Sequence, residues 1–327
     1  MNKLLLMRDN LSDQGQVPSA GSYYSSPDLI VHDQVADPQS FFVGNYAQDV
    51  NQSINRGSGA NFIYARVKNL STTDTLTAHV RLYASTSSLF MTPSRWVNNK
   101  ICSAAGESVI LTNPMSPGGI GVAKVPFLFN AKATTNYCHV GYVTKDETEP
   151  DIPDSFNTYS DFVVWLHENT HICLRNFYTL SGRASTIDQV NEFSNPSTKE
   201  ERVGTFNVRL NGQFPIGTEV TVKCDLVGIN ASYKVTSLQD MTQFPVACII
   251  PPGISAYLVT SIYLPSGGVW PEGGYLTVTF YVSESWDGAA FQYSLPAHLL
   301  SVPLNAPHLF QSQGRLIMVG ECSTRMI

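Results

Sequence analysis

Charge is the scarcest commodity in this chain. Only 14% of its 327 residues are Asp, Glu, Lys or Arg, against about 25% in an average soluble protein. The formal net charge is -6, and no basic excess marks a surface for nucleic acid or anionic lipid. Long hydrophobic runs are missing too, and nothing approaches the roughly 18 apolar residues of a membrane span. The apolar run at the start, Leu4 to Met7, is cut off by Arg8 and Asp9, too short for the core of a signal peptide. The expectation is a protein made in the cytoplasm which, if exported, uses a route that reads no N-terminal signal. The six cysteines (102, 138, 173, 224, 248 and 322) form no Cys-x-x-Cys pair. They read as small buried thiols before they read as disulfides. No Gly-x-Ser-x-Gly, P-loop or dinucleotide fingerprint is present.

What the chain does have is apolar and polar-uncharged residues in short alternating runs. Apolar residues make up 43% and aromatics 11%, enough to offset the entropy of ordering and to exclude disorder. Strands are predicted at 28–32, 62–68, 77–84, 108–112, 123–129 and 137–144. In Phe62 to Lys68, alternate residues suggest a half-buried strand. The Asn69–Thr75 turn suggests a hairpin-like pair with the strand at 77–84. One short helix is predicted near 158–168, where Thr158 and Asp161 have capping spacing and Tyr159, Phe162, Val163 and Leu166 form a stripe. A polar link is expected from Arg183 to Arg202. Strands resume at 203–210, 218–227, 245–250, 256–264, 276–283 and 316–320, separated by Gly- and Pro-rich turns at sandwich spacing. The architecture expected is mainly β, two β-sandwich domains in tandem with one short helix. An N-terminal extension spans 1–25, the first sandwich 26–184 and the second 185–327.

Two segments carry a resemblance. Asn61-Phe-Ile-Tyr-Ala-Arg-Val-Lys-Asn69, His79-Val-Arg-Leu-Tyr83 and Pro93-Ser-Arg-Trp96 are followed by Tyr137-Cys-His-Val140, Tyr159 to Leu166 and Cys173-Leu-Arg-Asn-Phe177. Together they resemble an immunoglobulin-like β-sandwich module of bacterial proteins over about residues 26–182. The second half, with Pro251-Pro-Gly253 to Leu264 and Gly274 to Val282, is similar to Ig-like domains in general. The resemblance implies packing positions and a sandwich; it brings no catalytic residues. A strand-rich chain with a charge-poor polar surface and no complete catalytic set suits recognition, so the expectation is a non-catalytic bacterial binding or structural accessory protein that contacts a protein or glycan partner through its loops.

One motif suggests chemistry. His167-Glu-Asn-Thr-His171 is an H-E-x-x-H. On one helix, His167 and His171 would share a face and bind zinc, with Glu168 as general base. Glu192, 21 residues beyond His171, is the candidate third ligand of such a zinc metallopeptidase. Against this, Asn169 and Thr170 are poor helix formers, and the following residues read as a strand. A turn before His171 would destroy the shared face. The acidic run Asp146 to Asp151, with Asp154, could hold calcium but lacks the order of a known loop. Trp96 and Trp165 fall at core positions. Trp270 and Trp286, in Gly-rich loops, are candidates for stacking on a sugar or anchoring a partner. A virion or phage-tail component is a further alternative on composition.

Overall fold

A computed structural model describes residues 4–52, 54, 59–86, 89–132, 137–148, 150–176, 179–181, 186–283, 293–296 and 315–326. The chain is mainly β and divides into two compact units. The first comprises residues 1–86, 92–155 and 164–177, and the second residues 87–91, 156–163 and 178–327. Among the described residues, no helix is long and apolar enough to cross a membrane.

The first unit contains β1 (Leu5–Leu6), β2 (Leu29–His32), α1 (Pro38–Gly44), β3 (Asn61–Asn69), β4 (His79–Thr86), β5 (Lys100–Ser103), β6 (Ile110–Leu111), β7 (Ile120–Val122), β8 (Phe127–Phe129), β9 (Tyr137–Thr144) and β10 (Ile172–Asn176). Pairing is antiparallel throughout, in the order β1-β3-β8-β5-β4-β9-β10, with β2 and β7 also on β3 and β6 on β4. Alternation of side chains sends Ile63, Ala65 and Val67 of β3 and Val80 and Leu82 of β4 into one core with Leu5, Leu29 and Phe127; this burial is the main force holding the sandwich together.

Three expectations need correction here. β3 and β4 do not form a hairpin: β3 pairs with β1, β2, β7 and β8, while β4 pairs with β5, β6 and β9. The connection is held open because Asn69 donates through its amide to the carbonyls of Asp74 (2.7 Å) and Met115 (3.0 Å), and Leu76 bridges to Met115. β3 is also buried on both faces. Its second face lies under α1, where Phe42 packs on Tyr64 at 4.6 Å between ring centroids. Helix α1 itself is an addition to the one helix expected. Asp37 caps it by accepting from the Ser40 amide at 3.1 Å, and Pro38 occupies the first turn.

Residues 1–25, expected as an extension, are part of the first unit. Leu5, Leu6 and Met7 are fully buried, and β1 pairs with β3. Behind them sits a buried charge cluster. Asp28 receives the Arg8 amide (2.8 Å), the Arg8 guanidinium (2.6 and 3.0 Å) and the Arg66 Nε (3.0 Å). Asp28 and Arg66 are completely inaccessible. Arg66 also donates to the carbonyls of Phe42 and Asn45, and Arg8 lies 3.5 Å above the Tyr46 ring. One carboxylate thereby fixes the N-terminal segment, the entry to β2, and β3.

The second unit has β11 (Thr179–Ser181), β12 (Thr186–Ser194), β13 (Arg202–Asn211), β14 (Glu219–Cys224), β15 (Ile229–Lys234), β16 (Met241–Ile250), β17 (Ser255–Tyr263), β18 (Tyr275–Ser283), β19 (Ser294–Pro296) and β20 (Arg315–Met326). One sheet runs β11-β20-β18-β13-β16 with β19 beside β20, the other β12-β17-β14-β15. They face one another: Phe193 of β12 meets Phe206 of β13 at 4.8 Å, which stacks on Phe280 of β18. The Gln189 amide of β12 donates to the Cys322 carbonyl of β20 at 3.2 Å. Residues 186–194, expected within a polar link, are therefore a strand. Their alternation of Ile187, Gln189, Asn191 and Phe193 buries amides as well as apolar groups, which hides the pattern from a hydropathy reading. Gly320 is required where β20 bulges, because a Cβ there would fall 2.0 Å from the Leu89 carbonyl oxygen.

Removing the Asp28 charge would leave two buried guanidiniums without their carboxylate. Asp28→Asn is expected to cost about 3–5 kcal/mol of stability. Urea unfolding of the full chain measures it, and a loss below about 1 kcal/mol would contradict the role given to the cluster.

Candidate functional site

The His-Glu-x-x-His segment straddles the end of α2 (Tyr159–Glu168). Thr158 caps the start by accepting from the Asp161 amide at 3.0 Å, and Tyr159, Phe162, Val163 and Leu166 are buried, as the capping and stripe positions predict. The helix then stops at Glu168. Around its end the Ser19 amide donates to the His167 carbonyl (2.7 Å), the Asn169 amide to the Leu166 carbonyl (3.3 Å) and, two residues past the helix, the Met7 amide to the Thr170 carbonyl (2.8 Å). Ser19 thus satisfies an orphan acceptor of the helix terminus from outside the helix. The Thr170 hydroxyl returns a bond to the Leu5 carbonyl at 2.9 Å.

The two imidazoles consequently have separate neighbours. His167 is buried, with Nδ1 at 2.9 Å from the Ser19 hydroxyl, which in turn donates to Asp9 at 2.5 Å. The direction of the Ser19–His167 bond follows the tautomer of the imidazole. His171 lies beyond the helix, with Nε2 at 2.9 Å from the Tyr142 hydroxyl and the rings edge to face at 5.0 Å. Glu168 is exposed. Glu192 lies on β12, where Ser255 donates to its carboxylate at 2.7 Å. The shared helical face required of the zinc alternative is not formed. Among the described residues, no three His, Cys, Asp or Glu side chains gather as a metal-binding group. The acidic stretch is used locally instead: Asp146 accepts from both the amide and the hydroxyl of Thr148, which lowers its pKa. Glu149 lies outside the described residues.

His171 opens onto a cleft of about 420 Å³ in the first unit. Its lining includes Tyr142, Thr144, Asp151, Trp165, Asn169 and His171. The loop beyond β9 that forms one wall is anchored from beneath by Arg81, itself 1% exposed, which donates to Thr144 (2.8 Å) and to the Glu147 carbonyl (2.7 Å). Trp165, expected in the core, is half-buried on this wall, whereas Trp96 is fully buried. Trp270 is half-buried, edge to face with Phe214 at 6.3 Å. Trp286 lies outside the described residues. Sequence reasoning missed the cleft because its residues come from β9, the 144–153 loop and the end of α2. The available signal was the break in helix propensity at Asn169-Thr170. Five cysteines are buried and Cys102 is half-buried. Burial raises the Cys173 thiol pKa strongly.

No family model matches this sequence, and no curated protein matches it. Solved structures give faint likenesses. An adhesin from Mobiluncus mulieris with intramolecular cross-links is 9% identical, over 85% of this chain and 94% of its own, at a TM-score of 0.20. The CupB6 tip adhesin of Pseudomonas aeruginosa is 9% identical, over 85% and 93%, at 0.18. The CfaE adhesive subunit of CFA/I fimbria of enterotoxigenic Escherichia coli is 9% identical, over 99% and 92%, at 0.16. Scores so low do not establish a common fold, and no residue role is carried over from them.

Burial holds three histidines of the first unit in their neutral form. Desolvation lowers His167 and His171 to about 4 and His139 to about 3; hydrogen bonding to Ser19 opposes the shift at His167. Each folded value lies below the ordinary 6.5, so the unfolded chain takes up protons first as pH falls. The stability they contribute is complete above pH 6.5 and is lost on acidification towards pH 4. Each is worth roughly 2 kcal/mol at most between pH 7 and pH 5. Asp9 and Asp13 run the other way, because burial raises their pKa values; their contribution is present below the ordinary carboxylate pKa and lost as pH rises through the folded value. Urea midpoints are expected to fall between pH 7 and pH 5, more steeply for Asp9→Asn. A midpoint that is flat or rises over that interval would contradict this balance.

Proposed function

We propose that this is a non-catalytic binding or accessory protein of bacterial Ig-like type, which recognises a protein or glycan through the loops of its first sandwich. The observation that carries the reading is the diversion of His171. The same turn that separates it from His167 places it beside Tyr142 on the wall of the cleft. The side chains there are suited to holding a ligand: an aromatic, a carboxylate, an amide and a neutral imidazole–phenol pair. A cleft of this size in which polar groups converge beside an aromatic surface has the form of a small recognition site. The wall also rests on a buried arginine, so the loop is pre-ordered and loses less entropy on binding.

The test is binding of the labelled full chain to an array carrying both immobilised glycans and immobilised proteins. At least one class of spot is expected to bind, with signal lost in the double variant Asp151→Asn/Trp165→Ala while its melting temperature stays within a few degrees. Binding that is indifferent to both cleft substitutions would overturn the assignment of this surface.

A further inference from the structure

The lining of the cleft narrows the ligand further, in an inference that rests on the recognition reading above. We propose that the cleft takes a neutral saccharide, about one or two sugar rings in size. A sugar ring presents apolar C–H faces and a rim of hydroxyls that both donate and accept. It needs an aromatic surface, strong acceptors and a few donors, with no requirement for opposite charge.

Each requirement has a residue. Trp165 provides the aromatic surface; its amphipathic indole suits a site that is apolar on one side and wet on the other. Asp151 is exposed on the rim, where its two carboxylate oxygens can accept from adjacent hydroxyls. Asn169 commits its amide nitrogen to the Trp165 carbonyl, which orients the side chain and leaves its oxygen as an acceptor. The Tyr142–His171 pair supplies a donor whichever way its own bond runs. If the phenol donates to Nε2, the imidazole keeps its Nδ1 proton; if Nε2 donates, the phenol keeps its own.

The lining also argues against charged ligands. Among the described residues no lysine or arginine lines the cleft, so a phosphate or a uronic acid would meet Asp151 with no cation of the lining to offset it. Among the described lining residues a cationic ligand would find one exposed carboxylate and leave the neutral donor and amide without a role.

Saturation-transfer NMR on the full chain tests the proposal, using glucose, galactose, mannose, N-acetylglucosamine, lactose and maltose, with tri-alanine as the peptide probe. At least one saccharide is expected to receive saturation. Its apparent affinity should fall tenfold or more in Asp151→Asn and in Trp165→Ala, and be unchanged in Trp270→Ala. The exposed Asp151 keeps the test independent of folding. No transfer to any saccharide, or transfer that survives both cleft substitutions, overturns the proposal. If tri-alanine alone shows cleft-dependent transfer, the saccharide assignment falls and the recognition reading stands. If the array binding is also indifferent to the cleft, both fall.

Discussion

The first unit is organised around the forced end of α2. A helix leaves its last carbonyls without partners; here the Ser19 amide takes that of His167, and the Met7 amide takes the Thr170 carbonyl just beyond the helix. That choice fixes much else. It seats Leu5, Leu6 and Met7 in the core, and it draws His167 onto Ser19 and Asp9. It also turns the chain so that His171 meets Tyr142 at the start of β10. The N-terminal segment is held in turn by Arg8, whose partner Asp28 also binds Arg66 of β3. The helix terminus and the charge cluster are thus two ends of one constraint.

That constraint explains why a motif with the residues for zinc chemistry does not assemble its geometry. An H-E-x-x-H needs both histidines on one face of a continuous helix, and this helix stops between them. Each imidazole then has a local role: His167 anchors a buried polar chain, and His171 completes a wall of the cleft. Residue identity alone could not separate these outcomes, because the motif is complete in sequence.

Much of the fold was legible. The strands at 137–144 and 276–283 follow from their runs of branched and aromatic residues, and the capped start of α2 from Thr158. Legibility failed where alternation concealed a second covered face, as in β3, or where the buried groups are polar, as in β12. β3 is covered on both faces, one of them by α1, so its alternation was misread as a sign of exposure. β12 buries Gln189 and Asn191, and so resembles a linker. Helix α1 is too short for periodicity; only the Asp37-Pro38 start marks it. Of the site, His171 and Asn169 were visible as a break in the helix, whereas Trp165 and Asp151 gain meaning only through contacts distant in sequence. Scarcity of charge proved informative in a different way: several of the few charges are buried in pairs, as at Asp28 with Arg8 and Arg66, and among the described residues the cleft is lined by one rim carboxylate beside neutral groups.

The separation of the two imidazoles is the central claim, and a zinc titration followed through the imidazole nitrogen resonances tests it most directly. The account predicts that His167 remains a neutral ring bonded to Ser19, and that His167 and His171 never move together at stoichiometric zinc. Concerted shifts of both at one equivalent, abolished by either His167→Gln or His171→Gln, would show that they share a metal and would contradict the account.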